Sequence, residues 1–246
     1  MKNLCLIFIL AVFQPVAGIA QVVPAGRLLY ENSLKAKADT MGWKLEGKAE
    51  VEFLNDWMHV YSPNQAQHHV FWCPVSFPSD FIAEWEVKNQ DQKAGLCIVF
   101  FAAEGDKVAD IFSPKLKTRT GVFKQYTKGD INNYHISYYA NNPNEKGRIN
   151  ANLRKNSGFK KVQSLTEGIP KNDTLVHRCQ LVKNKGRIVF YVDTKKVIDW
   201  QDGQAWGGGR IGFRQMKWTH FAYRNFKVWE AGEVVIPEIP IGEVKN

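Results

Sequence analysis

Residues 176–230 read VHRCQLVKNKGRIVFYVDTKKVIDWQDGQAWGGGRIGFRQMKWTHFAYRNFKVWE. Apolar residues in this segment form short runs or alternate with polar residues, and the turns Lys-Asn-Lys-Gly and Asp-Thr-Lys-Lys separate the runs. Alternation with a period of two is typical of β-strands, and Asn184, Gly186 and Asp193 can adopt or support the dihedral angles of tight hairpin turns. The segment therefore predicts consecutive antiparallel strands.

The same pattern extends back to Gln21, and no run longer than about ten residues shows the 3.6-residue period of a helix. A dozen short strands with no repeat of about 20 to 50 residues exclude a propeller and leave a sandwich or a barrel. The predicted fold class is all-β. The predicted strands cover residues 49–54, 57–61, 69–72, 81–88, 96–102, 134–139, 149–154, 177–183, 187–192, 196–200, 210–215 and 222–230.

Residues 1–20 have the layout of a cleaved signal peptide: one lysine, an apolar run, and small residues at Gly18 and Ala20. We expect the mature chain to begin at Gln21 and to be exported, either to the periplasm or out of the cell. No other apolar run approaches the length of about 20 residues that a membrane span needs. The net charge of +9 becomes +8 without Lys2, since 32 basic residues then face 24 acidic ones.

Three cysteines remain after the signal peptide, and each lies in an apolar run that predicts burial: Cys73, Cys97 and Cys179. Their odd number allows at most one disulfide within the chain. No Cys or His spacing predicts a metal site. We expect no required cofactor; structural calcium is compatible with the sequence, but no contiguous acidic loop demands it.

The order of the C-terminal strands, with Phe-Tyr-Val-Asp followed by Gly-Arg-Ile-Gly-Phe, resembles the closing half of concanavalin A-like, or laminin-G-like, jelly rolls. Residues 68–88, 134–159 and 207–230 are similar to a bacterial family of exported concanavalin A-like domains associated with the breakdown of uronate-rich polysaccharides. The resemblance covers about residues 27–231 and implies a sandwich of two antiparallel sheets, with a domain over 21–231 and an extended tail over 232–246. It also implies that a concave outer face binds sugar.

Period-two alternation identifies candidate residues for that face. Residues 134–139 and 149–154 are joined by the turn-rich segment NNPNEKG, so we expect them to pair as a hairpin. Polar residues then share one surface of the hairpin: His135, Tyr139, Arg148, Asn150, Asn152 and Arg154.

This set suits β-elimination from a uronate, in which the C5 proton leaves and the C4 oxygen departs. Arg154 or Arg148 would bind the carboxylate and stabilise the developing enediolate with help from Asn152, while His135 and Tyr139 would act as base and acid. The leaving group is a sugar for a polysaccharide lyase and water for an oligosaccharide dehydratase. Further candidate substrate-binding residues are Arg214, Gln215, Trp206, His68 and Glu84.

Two other functions fit the sequence. Glu84 and Glu86 lie on one strand face and could serve a retaining glycoside hydrolase, although Glu-Trp-Glu-Val-Lys lacks the central Asp of the related glucanase motif. A carbohydrate-binding module without catalysis is the other alternative, with Trp206 as the best candidate to stack on a sugar ring. The expected partner is an acidic oligosaccharide or polysaccharide. Nucleic acid is not expected, because the basic residues are scattered through turns.

Overall fold

The computed structural model describes residues 22, 24, 26–64, 66–91, 95–108, 110–141, 151–165, 168–216, 219–233 and 236. They form a sandwich of two antiparallel sheets, which confirms the predicted fold class. The predicted signal peptide lies outside the described residues, as does most of the predicted tail. Within the described residues, no helix is long and apolar enough to cross a membrane.

Fifteen strands and one short helix make up the regular structure of the described residues. In chain order they are β1 Leu28–Asn32, β2 Lys44–Gly47, β3 Glu50–Leu54, β4 Trp57–Tyr61, β5 His68–Phe77, β6 Phe81–Asn89, β7 Gly95–Gly105, α1 Lys124–Thr127, β8 Ile131–Asn141, β9 Asn152–Asn156, β10 Lys160–Ser164, β11 His177–Asn184, β12 Arg187–Val192, β13 Lys195–Gln201, β14 Gly209–Met216 and β15 His220–Glu230. A single 3-10 turn, Lys37–Thr40, follows β1.

The first sheet has the order β13-β12-β11-β6-β15-β4-β3, and β1 also pairs with β15. The second sheet has the order β10-β9-β8-β7-β14-β5-β2. The predicted hairpins are confirmed, since β11 pairs with β12, β12 with β13 and β8 with β9. Asp193 and Gly186 both adopt positive φ angles at the hairpin turns.

The predicted strands over 57–61 and 187–192 have the observed bounds, and most others are longer than predicted. Three strands were missed: β1, β2 and β10. None of their residues is buried, so their sequences lack the apolar alternation that marks a half-buried strand. Strand β9 begins at Asn152 rather than at 149, and residues 142–150 lie outside the described part of the chain.

The main core lies between the sheets and is rich in aromatic rings. Trp85 packs edge-on against Phe213 with ring centroids 5.4 Å apart, and Phe213 stacks on Tyr223 at 4.6 Å. The three described cysteines are buried and free, which confirms their predicted burial and leaves no disulfide among them. Burial raises the pKa of Cys97 to about 12, so this thiol is held in its unreactive protonated form.

A second apolar cluster covers the outer face of the second sheet. Residues 110–130, here called the cover segment, cross that face and include α1. Ile111 and Tyr126 of the cover segment pack on Val70, Trp72 and the rest of the cluster. Part of this face is therefore closed by protein, and the part over β8 and β9 carries polar side chains instead.

Candidate functional site

Three consecutive cross-strand pairs of polar residues lie on the outer face of β8 and β9. Asn133 is opposite Asn156, His135 opposite Arg154, and Ser137 opposite Asn152. Their side chains point away from the main core, because the intervening Tyr134, Ile136 and Leu153 belong to it. The prediction that His135 shares a surface with Asn152 and Arg154 is confirmed. We call these six residues the polar ladder: Asn133, His135, Ser137, Asn152, Arg154 and Asn156.

The polar ladder is held by a chain of hydrogen bonds. The Asn133 amide donates to the Tyr126 carbonyl at 2.8 Å, so Asn133 Oδ1 must be the acceptor that faces Asn156 Nδ2 at 2.7 Å. The same Asn156 Nδ2 lies 2.9 Å from His135 Nδ1. His135 Nδ1 is therefore an acceptor, and the neutral imidazole carries its proton on Nε2. This tautomer offers a donor at Nε2 rather than the base that the sequence predicted.

Aromatic rings enclose the imidazole of His135. The ring centroids of Phe100, Phe123 and Phe159 lie 5.3, 5.5 and 6.0 Å from it. The Arg154 guanidinium lies 4.0 Å above the Phe159 ring and donates to the Phe159 carbonyl at 3.1 Å. Five members of the polar ladder are buried, and Arg154 is partly exposed. The accessible group at this surface is therefore a cation fixed on an aromatic ring.

Tyr139 does not lie on this surface, so the prediction that it shares a face with His135 is wrong. The pairing between β7 and β8 shifts register between Cys97 and Ile98, and this β-bulge inserts one extra residue on β8. Tyr138 and Tyr139 consequently both face the main core. The Tyr139 hydroxyl accepts a hydrogen bond from Asn89 at 3.1 Å, and burial raises the pKa of Tyr139.

Arg214 and Gln215 are consecutive and therefore point to opposite faces of the second sheet. Gln215 is fully buried in the core, where its amide donates to the Tyr223 hydroxyl at 3.2 Å, so the prediction that it lines the binding cleft is wrong. Arg214 lies on the outer face beneath the cover segment. It is fully buried, and that burial lowers its pKa to about 10.

The remaining predicted residues lie elsewhere. Trp206 packs against the main core, and Lys155 Nζ covers its ring at 4.6 Å, so this indole is not an open stacking platform. His68 begins β5, which two strands, β14 and β7, separate from β8. Arg148 and Asn150 lie outside the described residues. Asn133 and Asn156 were missed by the sequence interpretation, although both continue the alternation of strands that it identified.

Glu84 lies on the first sheet, where it lines an outer cleft of about 660 Å³ together with Glu86. Arg178 donates to Glu84 at 2.5 Å and Gln180 donates to it at 2.6 Å. Arg224 donates to Glu86 at 2.5 Å. Because guanidinium groups occupy both carboxylates, neither is placed to give a proton to a glycosidic oxygen, and the geometry does not support retaining hydrolysis.

Comparison with known proteins gives a family for the chain and solved structures that share its fold. The family described as "Domain of unknown function (DUF1961)" matches residues 27–228. Protein YesU of Bacillus subtilis (strain 168) is 36% identical over 214 residues, covering 84% of this chain and 97% of YesU. A solved Bacillus subtilis protein with a galectin-like fold is 33% identical, with a TM-score of 0.81 over 88% of this chain and 100% of that one. The carbohydrate recognition domain of Emp47p is 16% identical, with a TM-score of 0.55 over 85% of this chain and 99% of that domain.

Proposed function

Because the chain belongs to the DUF1961 family and has the fold of a carbohydrate recognition domain, we propose that it is a carbohydrate-binding protein specific for acidic, uronate-containing oligosaccharides. The polar ladder is the proposed site. The observation that carries the proposal is the uninterrupted run of three polar cross-strand pairs on one outer face. A merely solvated sheet face would leave its polar side chains exposed to water, whereas five of these six are buried.

The donors of the polar ladder match an acidic sugar. Arg154 supplies a guanidinium that can bind a carboxylate, and the Nε2–H of His135 and the amide of Asn152 are the neighbouring donors. The mature net charge of +8, obtained by removing Lys2 from the +9 of the full chain, favours association with an anionic glycan.

Calorimetric titration with oligogalacturonate and with a neutral oligosaccharide of equal length tests the proposal. We expect the acidic ligand to bind and Arg154→Gln to weaken its binding at least about tenfold, which is the loss of one charge-assisted hydrogen bond. Lys160→Gln is the matched control, because Lys160 is an exposed cation on the neighbouring strand β10. Its cross-strand neighbour is Lys155, which lies on the opposite face of β9 from Arg154. Equal binding of the two sugars, or equal loss in the two variants, would refute the proposal.

β-Elimination at the same site is a second candidate function, because the Arg154 guanidinium is placed to stabilise a developing enediolate. In this reaction a base removes the C5 proton, the C4–C5 double bond forms, and the C4–O bond breaks as the leaving oxygen takes a proton. Arg154 would stabilise the enediolate. The described residues of the polar ladder supply no base for the C5 proton, because Asn156 occupies His135 Nδ1 and Tyr139 faces the core. Ultraviolet absorbance of the unsaturated product, followed in the same samples, separates a lyase or dehydratase from a binding module: binding without absorbance leaves the binding module.

We also propose that the protein is exported, because residues 1–20 have the pattern of a cleaved signal peptide. Intact mass measurement of the protein recovered from outside the cytoplasm tests this. The expected chain begins at Gln21, and recovery of the full-length chain in the cytoplasm would contradict the proposal.

A further inference from the structure

Arg214 is a fully buried cation whose charge has no partner among the described residues. Its Nη1 donates to the Gly121 carbonyl at 2.8 Å. Its Nε and Nη2 are both buried and have no hydrogen-bond partner within the part of the chain that the structure describes. An uncompensated buried charge costs several kcal/mol, so its presence calls for a physical reason.

Arg119 shows what a compensated cation looks like under the same cover segment. Its Nε and Nη2 donate to the two carboxylate oxygens of Glu46 at 3.1 and 2.8 Å, and Nη2 also reaches the Ile111 carbonyl. Glu46 Oε2 also accepts a hydrogen bond from Trp72 Nε1 at 2.9 Å. Glu46 lies in the same cross-strand row as Arg214, with Val70 between them. Because Glu46 is already paired with Arg119, it does not neutralise the charge of Arg214.

The Nε and Nη2 edge of the Arg214 guanidinium is the edge with which other arginines of this protein bind carboxylates. Arg119, Arg178 and Arg187 each present Nε and Nη2 to a carboxylate: Glu46, Glu84 and Asp199 respectively. The two N–H groups of that edge are parallel and match the two oxygens of a carboxylate. Arg214 thus has the same two N–H groups buried and unpaired among the described residues.

One aromatic side chain connects this edge of Arg214 to the polar ladder. The ring of Phe123 lies 4.9 Å from the Arg214 guanidinium carbon and 5.5 Å from the His135 ring. Tyr126 flanks the guanidinium at 5.4 Å and is fully buried, whereas Phe123 is partly exposed. A rotation of the Phe123 side chain would therefore uncover Arg214 toward the side on which His135 lies.

We propose that Arg214 is an anchoring site for a carboxylate of the ligand and that Phe123 is the gate over it. The inference rests on the proposed function and adds a second recognised group: one uronate carboxylate is held at Arg214, and the neighbouring uronate is held by Arg154 and the other donors of the polar ladder. The free protein keeps the gate closed through cation–π contacts between Phe123, Tyr126 and the guanidinium. Ligand binding exchanges the Phe123 contact for a bidentate ion pair.

The test compares Arg214→Met with Arg119→Met, two removals of a buried cation beneath the same segment. The probes are galacturonate and galactose, and the measurements are calorimetric affinity and the melting temperature Tm. We expect Arg214→Met to lose galacturonate binding at least about tenfold and to gain at least about 2 °C in Tm, because an uncompensated buried charge is removed. Arg119→Met should keep the affinity and lose Tm, because it leaves Glu46 buried without its partner.

Galacturonate affinity that persists in Arg214→Met overturns the inference, and so does equal binding of galactose. If Arg214→Met does not fold, Arg214→Lys serves instead, since it keeps the charge and removes the two parallel N–H groups; unchanged affinity there is equally fatal. Phe123→Ala tests the gate: removing it should tighten galacturonate binding, because no ligand binding energy is then spent on opening. Weaker or unchanged binding in Phe123→Ala would show that Phe123 is no gate.

The two proposals fail separately. If Arg154→Gln weakens oligogalacturonate binding and Arg214→Met does not, the function at the polar ladder stands and the anchor falls. If Arg214→Met loses galacturonate while Arg154→Gln keeps oligogalacturonate binding, the anchor stands and the polar ladder is not the sugar site.

Discussion

Asn156 fixes the tautomer of His135 through a single amide nitrogen, which lies 2.9 Å from His135 Nδ1 and 2.7 Å from Asn133 Oδ1. Asn156 must be the donor in both contacts, because Asn133 uses its own amide nitrogen to donate to the Tyr126 carbonyl and leaves only its Oδ1 facing Asn156. The tautomer of a ring on β8 is thus determined by a main-chain group of the cover segment. This coupling explains why the side chains of Asn133, His135 and Asn156 occur together.

We therefore predict that His135 Nδ1 is unprotonated in the neutral ring. Nitrogen-15 NMR of the imidazole should show Nε2 as the protonated nitrogen at pH 8. Asn156→Asp replaces the donor with an acceptor, so the proton should move to Nδ1 in that variant. A spectrum of the unmodified protein with Nδ1 protonated would contradict the hydrogen-bond chain.

The ion pair between Arg119 and Glu46 predicts a large stability loss on removal of its charge. Glu46→Gln should lower the free energy of unfolding by about 3 kcal/mol, because it leaves the buried Arg119 guanidinium without a counter-charge. Glu31→Gln is the control: its ion pair with Lys227 is exposed and should contribute less than about 1 kcal/mol. Urea denaturation measures both, and equal losses would show that burial of the pair has no energetic consequence.

The sequence was sufficient for the fold because the buried strands carry either apolar alternation or continuous apolar runs bounded by turn residues. Strands β4 and β12 were predicted to the residue for this reason, whereas β2 and β10 have no buried residue and gave no signal. The shared surface of His135 and Arg154 followed from the same period of two and from the turn between their strands.

Two kinds of error affected the candidate site. Some residues follow a break in the two-residue period, and for others the surroundings depend on residues of other strands. The bulge opposite Cys97 and Ile98 turns Tyr139 into the core, and nothing in the local sequence marks that extra residue. Gln215 was assigned to the cleft although it is adjacent to Arg214, and alternation alone places the two on opposite faces. Arg214 has no counter-charge among the described residues because Glu46, the carboxylate in its cross-strand row, is paired with Arg119. Glu46 lies more than 160 positions earlier in the chain, so this relationship is visible only in the folded protein.

Stability should fall as the pH decreases from about 6.5, and His69 is the largest single cause that the structure identifies. Burial first, and then the charges of Arg214 and His68, lower the pKa of His69 to about 3. Between the unfolded and the folded pKa values, the unfolded chain binds a proton at His69 and the folded chain does not. The contribution of His69 to the free energy of unfolding is therefore present above the unfolded pKa and is lost as the pH falls toward the folded pKa. Integrated from the unfolded pKa to the folded pKa, the loss amounts to about 5 kcal/mol.

His69→Gln tests this assignment by removing the titrating ring. The free energy of unfolding of this variant, measured by urea denaturation between pH 7 and pH 4, should depend less on pH than that of the unmodified protein. Parallel curves for the two proteins would show that other groups produce the acid sensitivity.

Gly212, in the Gly-Arg-Ile-Gly-Phe sequence of β14, should not tolerate even a methyl group. A Cβ atom there would lie 2.4 Å from the Trp72 ring, well inside van der Waals contact. Trp72 cannot move away, because its Nε1 donates to Glu46 and Tyr126 of the cover segment packs over it. Gly212→Ala should therefore lower the free energy of unfolding by about 1 to 3 kcal/mol, the usual cost of overpacking a filled interior.

Gly203→Ala is the matched control, because no atom lies within 4 Å of a Cβ placed there. We expect this surface substitution to change stability by less than about 0.5 kcal/mol. Thermal unfolding of the two variants measures the difference. If Gly212→Ala unfolds at the temperature of Gly203→Ala, the Trp72 ring must be free to yield, and the outer face of the second sheet is then less tightly closed by the cover segment than the contacts of Trp72 imply.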